Sequence, residues 1–291
     1  MKPGPFTYHD PRTLEELNAL LGSVENAKVL AGGQSLMPML NMRFVLPDHV
    51  IDINRIPELT VIRDAGDAIE IGAMVRQREL LASALLRQRL PLVIEALQHV
   101  GHLQTRSRGT FGGSLCHLDP SAELPAVAAA LDAVLTVSGP RATRQVPVAE
   151  WGLGYMTPNL EPDEILTTIR LPKWPRPHGY AFTEFARRHG DFAIAGVACL
   201  LALDAQGRIA RAALALCGVE VTPLRLSAAE TLLVGKEPSA EAFKSAAAVA
   251  GEVEAMSDAY VNAAYRKRLA KVLVERALAT AAARARGEKN V

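Results

Sequence analysis

Thr110-Phe111-Gly112-Gly113-Ser114-Leu115-Cys116-His117-Leu118-Asp119-Pro120 is the stretch on which the reading of this 291-residue chain turns. It has a twin near the start, Ala31-Gly32-Gly33-Gln34-Ser35-Leu36. Each pairs two glycines with a following hydroxyl, and neither contains Lys or Arg. Such a turn can hold a phosphate, because a missing Cβ lets backbone N–H groups approach an anion closely. A helix beginning just after the turn would add its positive end. Taken singly, either Gly-Gly pair reads as an ordinary tight turn. Two in one chain suggest a diphosphate gripped from two sides. The first turn follows a strand, but the G-x-G-x-x-G spacing of a dinucleotide Rossmann fold is absent.

Bulk properties narrow the choice. Length allows two or three domains, and 49% hydrophobic residues can fill their cores. A net charge of +1, from 32 basic and 31 acidic residues, argues against a nucleic-acid or anionic-membrane surface. Cys116, Cys199 and Cys217 are scattered and odd in number, which disfavours a disulfide framework or a metal centre within the chain and suits a reducing, cytoplasmic setting. The opening Met1-Lys2-Pro3-Gly4-Pro5 leads straight into polar sequence and carries no signal-peptide pattern, and no apolar run reaches membrane-span length.

Outward from the two turns, Phe6–Tyr8, Lys28–Leu30 and His49–Ile53 read as short strands, with an amphipathic helix over 13–22 and another beginning at Gln34. Val61–Arg63 and Ala68–Gly72 read as a hairpin around Asp64-Ala65-Gly66-Asp67. Residues 79–86, 90–99 and 121–131 read as helices, 101–109 as a loop, and 134–137, 146–148 and 165–171 as strands. The Pro-rich segment Lys173–Gly179 marks a boundary. Strands over 180–186, 193–203 and 209–216 follow, then helices over 226–233, 240–253 and from about Tyr260 to Arg286, with a polar tail over Arg284–Val291. The last helix carries a narrow stripe of Leu269, Val272, Leu273, Ala277 and Thr280. Arg266-Lys267-Arg268 reads as a solvated face. The class is α+β: two lobes, each with one Gly-Gly turn, then a strand meander with helices on one face. The domains expected are 1–57, 58–175 and 176–291.

Four stretches then carry a resemblance: Ala31–Leu36; Thr110–Ser114 with Asp119-Pro120 and Glu123; Arg187-Arg188-His189-Gly190-Asp191-Phe192-Ala193; and Gly218–Arg225 with Tyr265-Arg266. In this order and spacing they resemble the FAD-binding medium subunit of molybdenum hydroxylases, the family of the carbon monoxide dehydrogenase, nicotinate and quinoline oxidoreductase and xanthine dehydrogenase flavoproteins. The resemblance covers almost the whole chain. It implies a two-lobed FAD domain of the vanillyl-alcohol oxidase (PCMH) type, then a C-terminal α+β domain. It also implies a cofactor-binding set. Ala31, Gly32, Gly33, Gln34, Ser35 and Leu36, with Thr110, Phe111, Gly112, Gly113 and Ser114, would hold the FAD diphosphate and ribityl region. His117, Asp119 and Glu123 would lie beside them, and Leu166, Arg187, Asp191 and Phe192 near the flavin ring. Phe192 stands where relatives often have Tyr, and Thr183 where the xanthine dehydrogenase type has Lys.

By that resemblance the chain is an oxidoreductase subunit with no catalytic side chain or metal of its own. It would receive electrons from two [2Fe-2S] clusters in a small subunit, after hydroxylation at a molybdenum cofactor in a large subunit. It would pass them through FAD to an external acceptor, within a dimer of heterotrimers (a heterohexamer). The alternatives are a self-contained FAD-dependent oxidoreductase of the same fold and a non-catalytic assembly subunit that has lost FAD. Arg106 and Arg108, just before the second turn, face the cofactor, a partner or solvent. Cys116-His117 reads as a bystander pair, and His99 and His102 are separated by a helix-breaking Gly101.

Overall fold

The computed structural model describes residues 2–288. The expected polar tail therefore lies partly outside the described residues, at 289–291. In the first lobe, strands alternate with helices, and the strands pair in parallel. β1 (Thr7–His9), β2 (Ala27–Leu30) and β3 (His49–Asp52) lie in the order β1-β3-β2. Between them come α1 (Leu14–Leu21) and α2 (Leu36–Asn41). Thr13 caps α1 by accepting the Glu16 N–H at 3.1 Å, and the helix buries Leu17 and Leu21 against Ile51 and Ile53.

The second lobe starts with β4 (Ile62–Asp64) and β5 (Ala68–Gly72). Six helices follow: α3 (Gln77–Ala82), α4 (Ala84–Arg89), α5 (Pro91–His99), α6 (Leu103–Arg108), α7 (Phe111–His117) and α8 (Glu123–Ala130). It ends with β6 (Val134–Ser138), β7 (Thr143–Pro147), the small ribbon β8 (Gly152–Gly154) and β9 (Thr157–Pro158), and β10 (Ile165–Pro172). Five of these strands make an antiparallel sheet, β4-β5-β10-β6-β7.

Three local readings need correction. The helix expected over 79–86 breaks at Ser83, whose hydroxyl caps α4 through Leu86 N–H. The segment expected to be a loop holds α6, a polar surface helix with no apolar period to reveal it; Leu103 is exposed, and the Arg106 guanidinium donates to the carbonyls of Val100 (2.7 Å) and Gly101 (3.0 Å). The second Gly-Gly pair, expected to precede a helix, lies inside the first turn of α7, which puts Cys116 and His117 at that helix's C-terminal end.

The last unit is an antiparallel meander of β11 (Gly179–Phe185), β12 (Ala195–Leu203), β13 (Ile209–Cys217) and β14 (Leu224–Arg225). It is followed by α9 (Ser227–Leu233), α10 (Ala240–Ala250) and α11 (Ala263–Ala285). The meander's own helices cover one face. There Ala195, Val197, Cys199 and Leu201 pack into a core with Leu233, Phe243, Val274 and Leu278. The alternate residues Ala198, Leu200 and Ala202 point the other way, into a core shared with Leu92, Val93, Leu97 and Leu124 of the second lobe. Both faces of the sheet are thus buried, which explains the unbroken apolar run of β12.

The α11 stripe is rotated from the expected one. Its buried side is Ala270, Leu273, Val274, Ala277, Leu278 and Ala281, and Val272 is exposed. Arg266, expected in solvent, is 3% exposed. Its guanidinium donates to the carbonyls of Ile194 (2.6 Å) and Gly218 and pairs with Asp258. Arg266→Met strands two carbonyls and a carboxylate. We expect it to lower unfolding free energy by roughly 3 kcal/mol, read as a fall in denaturant midpoint with an unchanged slope; a midpoint within error of wild type would contradict this role.

Candidate functional site

β2 delivers the chain to the first turn, where Gly33 adopts φ +73°, a conformation costly for residues with a Cβ. The backbone carbonyl of Gly33 accepts from Met37 N–H and that of Gly32 from the Gln34 side chain. Among the described residues, no protein acceptor meets the N–H groups of Gly32, Gly33, Gln34, Ser35 or Leu36. Five successive donors therefore stay available. Gly32, Gly33 and Gln34 of this row border a cleft of about 500 Å³, lined also by Leu30, Ala31, Met37, Pro38, Asn41 and Arg108.

The second turn is built differently. Phe111 N–H donates to Val75, Gly112 N–H to Ala73, and Ser114 N–H to the Thr110 carbonyl, while Gly113 N–H is capped by the Thr110 hydroxyl at 2.9 Å. The expected row of N–H donors from this turn is spent inside the protein. Its glycines serve close packing instead: a Cβ on Gly112 would lie 2.5 Å from that of Ala73.

The two turns meet. A Cβ on Gly32 would lie 2.4 Å from the Arg108 carbonyl oxygen, and one on Gly113 would lie 3.6 Å from Ala31 Cβ. A polar strut holds this contact. Asn54 donates to the Ala31 carbonyl at 2.9 Å and accepts from Arg76, whose other nitrogen donates to the Arg108 carbonyl. Asp52 holds Asn54 in turn, and Tyr8 donates to Asp52 at 2.7 Å. Sequence reading missed Asn54, Arg76, Met37 and Asn41, which belong to no glycine motif; Arg108 was noticed without a direction.

The other expected residues are carried by several elements and loops of the second lobe and the C-terminal unit. Asp119 accepts from Ser121 N–H at 2.8 Å and so shapes the entry to α8. Glu123 is buried in the first turn of that helix, and desolvation raises its carboxyl to about 8; Glu184 and Asp119 push the same way and His99 opposes them. His99 pairs with Glu184 at 3.3 Å, which raises the imidazole above its ordinary value. Burial lowers His117, and desolvation pushes the Cys116 thiol up to about 12, so this pair offers no thiolate. Leu166 is buried in β10 opposite Val137. Arg187 lies 5.1 Å over the Tyr260 ring, and Phe192 is 72% exposed.

The loop holding Asp191 turns at Gly190, which packs against Gly101 and His102. From that contact α6 runs about 9 Å to the Arg108 carbonyl beneath the first turn. One short helix thus links the exposed aromatic loop to the donor-lined cleft. Among the described residues, no group of three or more His, Cys, Asp or Glu could hold a metal ion, and no helix is long and apolar enough to cross a membrane.

Comparison with known proteins agrees with this architecture. The family model "FAD binding domain in molybdopterin dehydrogenase" matches residues 4–174, and "CO dehydrogenase flavoprotein C-terminal domain" matches 180–281. The chain is 39% identical over 291 residues to the 6-hydroxypseudooxynicotine dehydrogenase complex subunit alpha of Paenarthrobacter nicotinovorans, covering 99% of this chain and 98% of that one. It superposes on a chain of carbon monoxide dehydrogenase from Hydrogenophaga pseudoflava with a TM-score of 0.94 at 40% identity, covering 98% and 99%. For quinoline 2-oxidoreductase from Pseudomonas putida 86 the TM-score is 0.93 at 33% identity, again covering 98% and 99%. This chain therefore belongs to the FAD-binding flavoprotein subunits of the molybdenum hydroxylase family of oxidoreductases.

Proposed function

We propose that this chain is the electron-transfer subunit of a heterohexameric molybdenum hydroxylase. It takes electrons from two [2Fe-2S] clusters of a small subunit, downstream of a molybdenum-cofactor large subunit, and passes them to an external acceptor. The assembly is a dimer of heterotrimers in the cytoplasm. The observation that carries the cofactor site is the row of free N–H groups from Gly32 to Leu36 beside a cleft bordered by both lobes. Bound FAD supplies the reversible electron store that such a chain needs. The three cysteines are too few for even one Cys₄-ligated cluster, which supports housing the clusters in a partner.

The remaining roles rest on the family resemblance together with the chemistry of each side chain. Gly32 to Leu36, with Ala31, receive the diphosphate. Thr110, Phe111, Gly112 and Gly113 set the distance between the lobes, and the Ser114 hydroxyl with His117 and Asp119 borders the ribityl region. Glu123, neutral near pH 7, can donate a hydrogen bond where an ionised carboxylate could only accept. Leu166, Arg187, Asp191 and Phe192 are assigned to the ring end, where Phe192 offers an aromatic face. The domains proposed are 1–57, 58–175 and 176–291.

Three measurements test this reading. The purified complex should show a flavin band near ~450 nm and release FAD rather than FMN on denaturation; a preparation without flavin would sink the proposal. Gly32→Ala should lower FAD occupancy at least about tenfold, because its Cβ must displace the Arg108 backbone; full occupancy would argue against the cleft. The third is a pH effect. Native Glu123 holds its proton more tightly than the unfolded chain does, so the native state binds more protons between pH 4.5 and about 8. The Glu123 contribution to stability of the FAD-free protein should therefore fall as pH rises through that window. Glu123→Gln should remove that slope, and an unchanged profile would show that the carboxyl ionises normally.

A further inference from the structure

Arg108 is the cation that the turn sequences lack. Its side chain lines the cleft beside Gly32 and Gly33, is exposed, and makes no hydrogen bond or ion pair among the described residues. Its charge helps to hold the Asp52 carboxyl below the ordinary value. Both Asp52 oxygens are already engaged, one by Asn54 and the other by Tyr8. Behind Arg108 stands Arg76, half-buried, with its guanidinium on the Arg108 carbonyl and the Asn54 side chain. Among the described residues Arg76 also makes no ion pair; the nearby Glu79 carboxylate is engaged by the Arg76 backbone N–H. Burial and then the Arg108 charge pull Arg76 below the ordinary arginine range, with Arg78 adding to the effect and Glu79 and Asp52 opposing it.

Two like charges held together beside five unmet N–H donors make a site whose repulsion an entering anion relieves. A guanidinium also suits a phosphate geometrically, since it can offer two parallel N–H donors. We propose that Arg108 contacts the diphosphate of the nucleotide bound in this cleft, with Arg76 as the positioning residue that fixes the Arg108 backbone. This deepens the FAD-site reading and rests on it. The turn motifs alone imply recognition by neutral backbone donors. Arg108 adds a charged, salt-sensitive contact that selects for phosphorylated ligands.

The test titrates the flavin-depleted full chain with FAD, and separately with ADP as a probe of the diphosphate end, at about 50 and about 200 mM salt. Wild type should bind both, and more weakly at the higher salt. Arg108→Gln should weaken FAD and ADP by about tenfold or more and flatten the salt dependence. Arg108→Lys should restore much of the salt dependence with part of the affinity. Melting temperatures of the ligand-free variants should match wild type, since the Arg108 side chain is exposed and makes no hydrogen bond or ion pair among the described residues. If Arg108→Gln binds FAD within twofold of wild type with the same salt dependence, the proposal is overturned while the FAD site stands. If wild type itself fails to bind FAD, the site reading falls and the proposal with it.

Discussion

The rest of the site depends on one backbone contact, the approach of Gly32 to the Arg108 carbonyl across the two lobes. No side chain fits between them. The contact is held from behind by Asn54 and Arg76, each of which bonds one lobe's turn and the other residue of the strut. The first turn leaves its N–H groups free because its carbonyls, rather than its amides, make the local bonds. The second spends its amides on β5-proximal carbonyls and on Thr110, and so serves as a wall. Two similar sequence motifs therefore perform different physical tasks.

The same economy of space governs the C-terminal unit. Its sheet shares one core with α9, α10 and α11 and another with α5 and α8. Polar ties reinforce that junction. Glu95 of α5 accepts the Phe182 N–H and pairs with Arg284, and Gly218 N–H donates to the Pro120 carbonyl beside Asp119. The aromatic loop around Phe192 is thereby anchored to the lobe that carries the second turn.

The order of elements and the α+β class were legible in the sequence because short apolar runs and Gly, Pro and Asp punctuation mark local structure directly. The Gly-Gly turns were legible as special positions, but the division of labour between them was not. Whether an amide is free depends on partners such as Ala73 and Val75, which lie about forty residues away and are joined only by tertiary structure. Asn54 and Arg76 were hidden for the same reason. Arg266 was misread because a run of three basic residues resembles a solvated face, and its buried acceptors come from other elements. The helix α6 escaped because its side chains are mostly polar and its one leucine faces solvent.

Residue-resolved amide hydrogen exchange, with and without added FAD, tests the asymmetry of the two turns most directly. FAD should slow exchange at Gly32 through Leu36, whose N–H groups have no acceptor among the described residues, and leave Phe111 through Ser114 nearly unchanged, since those amides are already bonded. Protection gained at Phe111 through Ser114 with none at Gly32 through Leu36 would contradict the account.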